Sequence, residues 1–340
     1  MNNRTSRAFA TLTGAALVLG GIAAPSLAAD PAATESGWYA PVAQAQASGA
    51  LKPQASAKTA GPTASGTPHM LLMKGVQLMH GKSKAPFGVE AAPQLQYYGG
   101  PLLGNVKIQL VYWNKDVAYQ DRLPGFFSYI TQSPYFDWLK EYNSPATTIG
   151  RGSYIGSFVD DVAIPQSSQI EDADIQTELS NLIAKNKVPQ PDANTLYMVY
   201  FPPGLNIDQG GQGSCQVFCA YHNTFMNNGT QIQYGVIPDQ GGNCAGGCGG
   251  DPDQFNNETS VSSHEMTESV TDPAVGLMTG NTPGAPMGWY DSNYGEIGDI
   301  CNAVQAKVGA YTVQREWSNS RGLCVATAQD PGAPFTPAGP

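Results

Sequence analysis

Ser262-Ser263-His264-Glu265-Met266-Thr267-Glu268-Ser269-Val270-Thr271-Asp272-Pro273 opens like the zinc-hydrolase pattern H-E-x-x-H, then carries Glu268 where the second histidine falls. The reading of this stretch decides the fold, because such a pattern works only on a helix. Asn257 can cap that helix, Glu258 suits its first turn, and Pro273 stops it soon after Val270. On a helix His264 and Glu268 lie one turn apart on one face, the spacing that presents two ligands to one ion. Glutamate is an acceptable oxygen ligand for zinc, so the exchange alters the site without removing it. Glu265, directly after His264, is placed to act as general base. The competing reading is an acidic, solvated helix face with no site at all.

A third ligand has to come from elsewhere. The loop Tyr290 to Asp299 offers Glu296, with Asp299 and Asp291 as alternatives, and the glycines on both sides of Glu296 let the backbone approach the helix closely. His222 is a further candidate, either as ligand or, like Tyr294, as a group that stabilises an oxyanion. The plainer reading of His222 is a structural histidine beside a disulfide. A metal set of His264, Glu268 and Glu296 carries two negative charges, which neutralise a divalent ion and weaken its effect on bound water. Zn2+ is the expected cofactor, and the oxygen-rich set leaves Ca2+ or Mn2+ open.

The rest of the chain places this candidate site outside the cytoplasm. Arg4 and Arg7, the apolar run Ala8 to Ala24 and the small residues Ser26-Leu27-Ala28 form a secretory signal over residues 1–28. No later run is apolar for long enough to cross a bilayer. The chain has 17 basic and 27 acidic residues, a net charge of −10, and loss of the two signal arginines makes the mature protein more acidic still. That balance excludes nucleic-acid backbones as partners, because lysine and arginine drive such binding. Six cysteines, all between Cys215 and Cys324, fit three disulfides in an oxidising compartment. The favoured pair is Cys301 with Cys324; a structural zinc on the two C-x3-C pairs is the alternative.

Residues 29–94 hold few large apolar residues and many Ala, Ser, Gly, Thr and Pro, the composition of a flexible pro-segment or linker. One island, His69 to Met79, reads as a short docking helix or a transiently helical stretch. From Leu95 onwards the patterning is that of a folded domain. Val106 to Trp113 and Thr195 to Phe201 read as strands, Tyr234 to Pro238 as a short third one, and Pro124 to Glu141 and Asp172 to Lys187 as helices. Trp289 and Tyr290 read as core or pocket wall. Strands alternating with helices predict an α/β class, with α+β as the other possibility, in one zincin-like domain over residues 95–327 with a mixed sheet and an active-site helix. Residues 328–340 read as a flexible tail.

The order of motifs resembles the EXORDIUM / phosphate-induced protein family. The resemblance rests on Leu95-Gln96-Tyr97-Tyr98-Gly99-Gly100-Pro101, on the strand to Tyr112-Trp113, and on the S-C-Q-V-F-C-A-Y-H segment ending at His222. SHEMTE with Asp272-Pro273, then Trp289-Tyr290 and Glu296 to Cys301, complete it. It implies a secreted, extracellular or cell-wall-associated protein. The pro-segment and the TESVTDP wording depart from that family's pattern. Two functional expectations follow: a secreted metal-dependent hydrolase, most simply a zinc peptidase acting on a peptide or protein, or a non-catalytic EXORDIUM-type protein that binds cell-wall glycan or a protein partner.

Overall fold

A computed structural model describes residues 70–74, 92–277 and 287–336 of the chain. The expected signal at 1–28, positions 29–69 and 75–91 of the expected pro-segment or linker, including His69 and His80, and residues 278–286 and 337–340 lie outside the described residues.

Six strands form the main sheet: β1 (Met70–Leu72), β2 (Lys107–Tyr112), β3 (Ser153–Val159), β4 (Thr195–Tyr200), β5 (Phe218–Asn227) and β6 (Thr230–Ile237). Their spatial order is β1-β5-β6-β4-β2-β3. β3, β2, β4 and β6 run parallel, β5 is antiparallel to β6, and β1 is antiparallel to β5. The protein is therefore mixed α/β with a mixed sheet. The parallel centre explains why Ile108, Leu110, Val111, Leu196, Met198 and Val199 are all buried: helices and loops cover both faces of such strands, so apolar residues need not alternate.

Helix α1 (Leu123–Ile130) links β2 to β3, and α2 (Asp172–Ala184) precedes β4. The single helix expected over 124–141 is divided. Pro134 starts a new turn, capped by Ser133 whose hydroxyl accepts the Tyr135 N–H at 3.2 Å, and the chain continues as a 3-10 helix over Trp138–Tyr142. Proline has no N–H to donate back to the preceding helix, so the helical run breaks there.

The island around Met70 is a strand, where a helix was expected. Its backbone finds partners on β5 rather than within itself, and a tertiary ladder outweighs the weak local preference of so short a segment. The end of the chain is also tied down: Cys324 and Ala333 exchange backbone hydrogen bonds, and Phe335 packs edge-on to Tyr294 and Trp317.

The helix that carries the quoted stretch, α3 (Gln254–Thr271), starts one turn before the expected cap. Asp253 caps it by accepting the Phe255 N–H at 3.0 Å, while Asn257 is inside and exchanges hydrogen bonds with the Asp251 backbone. One side of α3 packs on β5 and β6, the other on the hairpin β7 (Gln305–Val308) and β8 (Tyr311–Gln314). Every residue from Asn257 to Thr271 is buried, so the solvated-face reading of this helix is overturned. A polar helix tolerates this because its hydroxyls find backbone partners. Ser263, Thr267, Ser269 and Thr271 donate to carbonyls three or four residues back at 2.7–3.3 Å. Outward, Thr259 donates to the Thr312 carbonyl, Ser263 accepts the Gln314 N–H, and Ser262 meets the Tyr200 hydroxyl. These small side chains let sheet and hairpin come close without orphaned polar groups.

Three disulfides close the C-terminal half: Cys215–Cys244, Cys219–Cys248 and Cys301–Cys324. The favoured pair is present. The two C-x3-C pairs cross-link to each other, residue for residue, so no thiol pair remains for a structural zinc.

Candidate metal centre

β5 and the loop that carries Glu296 meet at the middle of α3. His264 and Glu268 face the same way from adjacent turns, with His264 Nε2 3.1 Å from Glu268 Oε2. β5 contributes His222, whose Nε2 lies 3.7 Å from Glu268 Oε2 and 3.0 Å from Glu296 Oε2. Glu296 arrives on the loop before the 3-10 turn Asp299–Cys301. His222, Glu268 and Glu296 offer ligand atoms within 4.8 Å of one another, and so do His264, Glu265 and Glu268. Glu268 belongs to both groups. The structure thus brings together all five residues singled out in the sequence, each no more than 1% exposed.

The loop reaches the helix through Gly298. A Cβ there would stand 2.5 Å from His264 Nδ1 and 2.8 Å from Glu268 Oε1, so only glycine permits the approach. In exchange, the Gly298 and Asp299 amides donate to Glu268 Oε1 at 3.2 and 3.0 Å. One oxygen of Glu268 is thereby held by the loop, and the other faces the two imidazoles. The remaining candidates serve the loop itself. Asp299 accepts the Glu296 N–H, and Asp291 accepts the Asn293, Tyr294 and Gln94 amides. Trp289 is fixed by a bond from its indole N–H to the Tyr142 carbonyl.

Electrostatically the centre is a concentration of buried acid. Glu265 sits over Gly235, the cross-strand neighbour of His222, and both its oxygens lack a hydrogen-bond partner among the described residues. Burial pushes its carboxyl well above the usual range, and the charges of Glu268, Asp299 and Glu296 push it further. Burial likewise lowers His264 below the ordinary imidazole value, against the opposing pull of Asp299 and Glu296. An isolated carboxylate in such a place is costly. A divalent cation held at Glu268, by either of the two groups that share it, would offset that cost, and imidazole and carboxylate donors suit zinc.

Sequence reasoning missed the residues beneath the ligands. Gln314 places its amide nitrogen 2.7 Å from His264 Nδ1 and 2.9 Å from the Gly298 carbonyl, while its oxygen accepts the Ala303 N–H. An amide N–H donating to Nδ1 puts the neutral ring's proton on Nε2, facing Glu268. Ligation through Nε2 therefore requires that proton to shift to Nδ1 and the Gln314 amide to turn. Glu316 follows, also fully buried, accepting the Tyr135 hydroxyl at 2.8 Å; burial raises its carboxyl well above the usual range. Neither residue stands in a motif, and nothing in the local pattern signals them. Comparison with protein-family models, with curated proteins and with solved structures found no match.

Proposed function

We propose that this protein is a secreted metal-dependent hydrolase of zincin-like design, acting on a peptide or protein, with His264, Glu268, His222 and Glu296 as the residues that hold the ion. The observation that carries the reading is two overlapping buried donor groups, His222–Glu268–Glu296 and His264–Glu265–Glu268, that share Glu268, with neither oxygen of Glu265 hydrogen-bonded among the described residues. Zn2+ fits the nitrogen–oxygen set best, with Mn2+ or Ca2+ as substitutes. When bound, such an ion supplies an acidified water and polarises a carbonyl. Glu265 is the group that takes the proton from the attacking water, and its raised affinity for protons suits it to hand that proton to a leaving amine. Two carboxylates neutralise a dication, and four protein donors would leave zinc no open position for water, so hydrolysis requires that only three of them hold the ion at once and that the chain supply the remaining electrostatic assistance. Within this reading His222 moves from oxyanion stabiliser to ligand.

The disulfides and the lack, among the described residues, of any helix long and apolar enough to cross a membrane fit an extracellular protein. The test is incubation of the purified protein with a mixed peptide library, with and without chelator. Chelator-sensitive cleavage is the expected result. No cleavage under any metal loading favours the second reading, a non-catalytic EXORDIUM-type protein that binds glycan or a protein partner and uses its metal structurally. One observation favours that second reading: the candidate ligands are closed off from solvent.

A further inference from the structure

The sheet edge nearest His222 is filled by a piece of chain that serves no other part of the site. β1 runs antiparallel to β5 with Met70 opposite Tyr221, Leu71 opposite Ala220 and Leu72 opposite Phe218, and Cys219 bulges between the last two pairs. Opposite residues of an antiparallel pair share a face, and so do residues two apart on one strand. Leu71 therefore lies on the face of the sheet that carries Ala220 and His222. Met70 and Leu71 are 5% and 3% exposed.

The grip continues beyond the strand. The Met73 N–H donates to the Val217 carbonyl at 3.0 Å and the Lys74 N–H to the Gly247 carbonyl at 2.8 Å. Asn302 donates its side-chain amide to the Leu72 carbonyl at 2.9 Å, and Asn302 directly follows the turn Asp299–Cys301 that comes after Glu296. Gly247 leaves the space that the Met73 side chain occupies, since a Cβ there would collide with the Met73 methyl. The segment is thus clamped by the sheet edge, by the loop that Cys219–Cys248 closes, and by the loop that presents Glu296.

All of these hydrogen bonds use the backbone of the bound segment, so an extended chain of another sequence could make them too. Selectivity lies in two apolar positions, those of Leu71 and Met73. This is the arrangement of strand addition, in which main-chain bonds give affinity and alternate side chains give specificity. The segment is also separated from the domain in sequence by residues 75–91, which include Gly75, Gly81, Pro86 and Gly88.

We propose that this edge is a strand-addition site for an extended apolar peptide, lying antiparallel to β5 beside the candidate metal centre, and that Met70–Lys74 is its internal occupant. As a binding site it stands without catalysis; as a substrate groove it rests on the hydrolase reading. The experiment places a sequence-specific protease site between Gly81 and Lys84 of the full chain. The folded protein is cut, and binding of a fluorescein-labelled peptide of sequence 69–76 is followed by anisotropy. The cut protein should bind it saturably, at least tenfold tighter than the uncut one, and should bind the Leu71→Asp peptide at least tenfold more weakly. A full-length Leu71→Asp chain empties the edge without a cut, and added native peptide should restore hydrogen-exchange protection at whichever of the adjacent Ala220 and Tyr221 amides faces β1. Absence of peptide binding in both the cut protein and the Leu71→Asp chain overturns the proposal, as does equal binding of the native and Asp peptides. Binding without chelator-sensitive cleavage keeps the strand site and removes the hydrolase. Cleavage at equal rates before and after the cut keeps the hydrolase and shows that the occupant does not restrain it.

Discussion

Glu265 and Glu268 are separated by less than one helical turn and have different surroundings. Glu268 has one oxygen tied to the Gly298 and Asp299 amides and the other against two imidazoles. Glu265 has neither tie. Glu265→Gln should therefore keep the ion and lose turnover by about 10²–10⁴-fold, the usual range for a general base, measured as kcat beside metal content. Gln314 gives a second expectation at this scale. Gln314→Glu would offer an acceptor to Nδ1–H of His264, the arrangement that raises ligand basicity, and should tighten metal binding by about tenfold or more. Weaker binding in that variant would show that His264 Nε2 does not hold the ion. That His264, Glu265, Glu268 and Glu296 meet was legible in the sequence, because it rests on spacing along a helix and on glycines beside an acid. Gln314 and Glu316 were not, since their position depends on how a distant hairpin packs.

Helix α3 shows why the pattern identified an element but not its environment. Helical spacing was readable, while burial was not, because Ser and Thr that bond to their own helix's carbonyls are chemically indistinguishable in sequence from solvated ones. β5 was missed for a related reason. Its run from Phe218 to Asn227 holds no period-two alternation of apolar and polar residues, and the one local signal is the turn Asn228-Gly229, whose residues have positive φ, of 50° and 84°, as a tight hairpin requires. Glu258 tests the burial of α3 away from the ligands. Burial raises its carboxyl well above the ordinary 4.5, and nearby Asp239 adds to the effect. A raised acid binds more protons folded than unfolded, so wild-type stability falls as pH rises above 4.5. Each pKa unit of displacement costs about 1.4 kcal/mol. Glu258→Gln keeps an acceptor for the Gln240 amide and should raise the melting temperature at neutral pH. The gain should shrink to nothing below pH 4.5; a gain independent of pH would contradict the burial argument.

At the largest scale, three disulfides cross-link residues 215–324. Cys301–Cys324 joins the loop of Glu296 to the strand Leu323–Val325 across 23 residues. Replacing both cysteines by serine should cost about 3 kcal/mol by chain entropy and should weaken metal binding as the loop loosens, read by denaturant melts with and without added zinc. Asp330 anchors the last segment through two bonds from Arg315, at 2.8 and 3.1 Å, and bonds from the Ala326 and Gly332 amides. Burial pushes its carboxyl up, but these bonds outweigh it and hold the carboxyl below the ordinary 3.8. A depressed acid stabilises the fold above its unfolded value and loses that contribution as pH falls through its folded value. Asp330→Asn should cost about 1.5–3 kcal/mol at pH 7, with the two proteins converging below pH 3.8. The mixed sheet was legible in part, from the buried runs of β2 and β4, but the docking of Met70–Leu72 was not, because its partner strand lies far along the chain. Whether α3 with His222 and Glu296 forms a metal centre is decided by metal content per chain in purified native protein and in Glu268→Gln. One divalent ion per chain is expected in the native protein, with its loss in the variant. No stoichiometric ion in the native protein, or an unchanged one in Glu268→Gln, would contradict it.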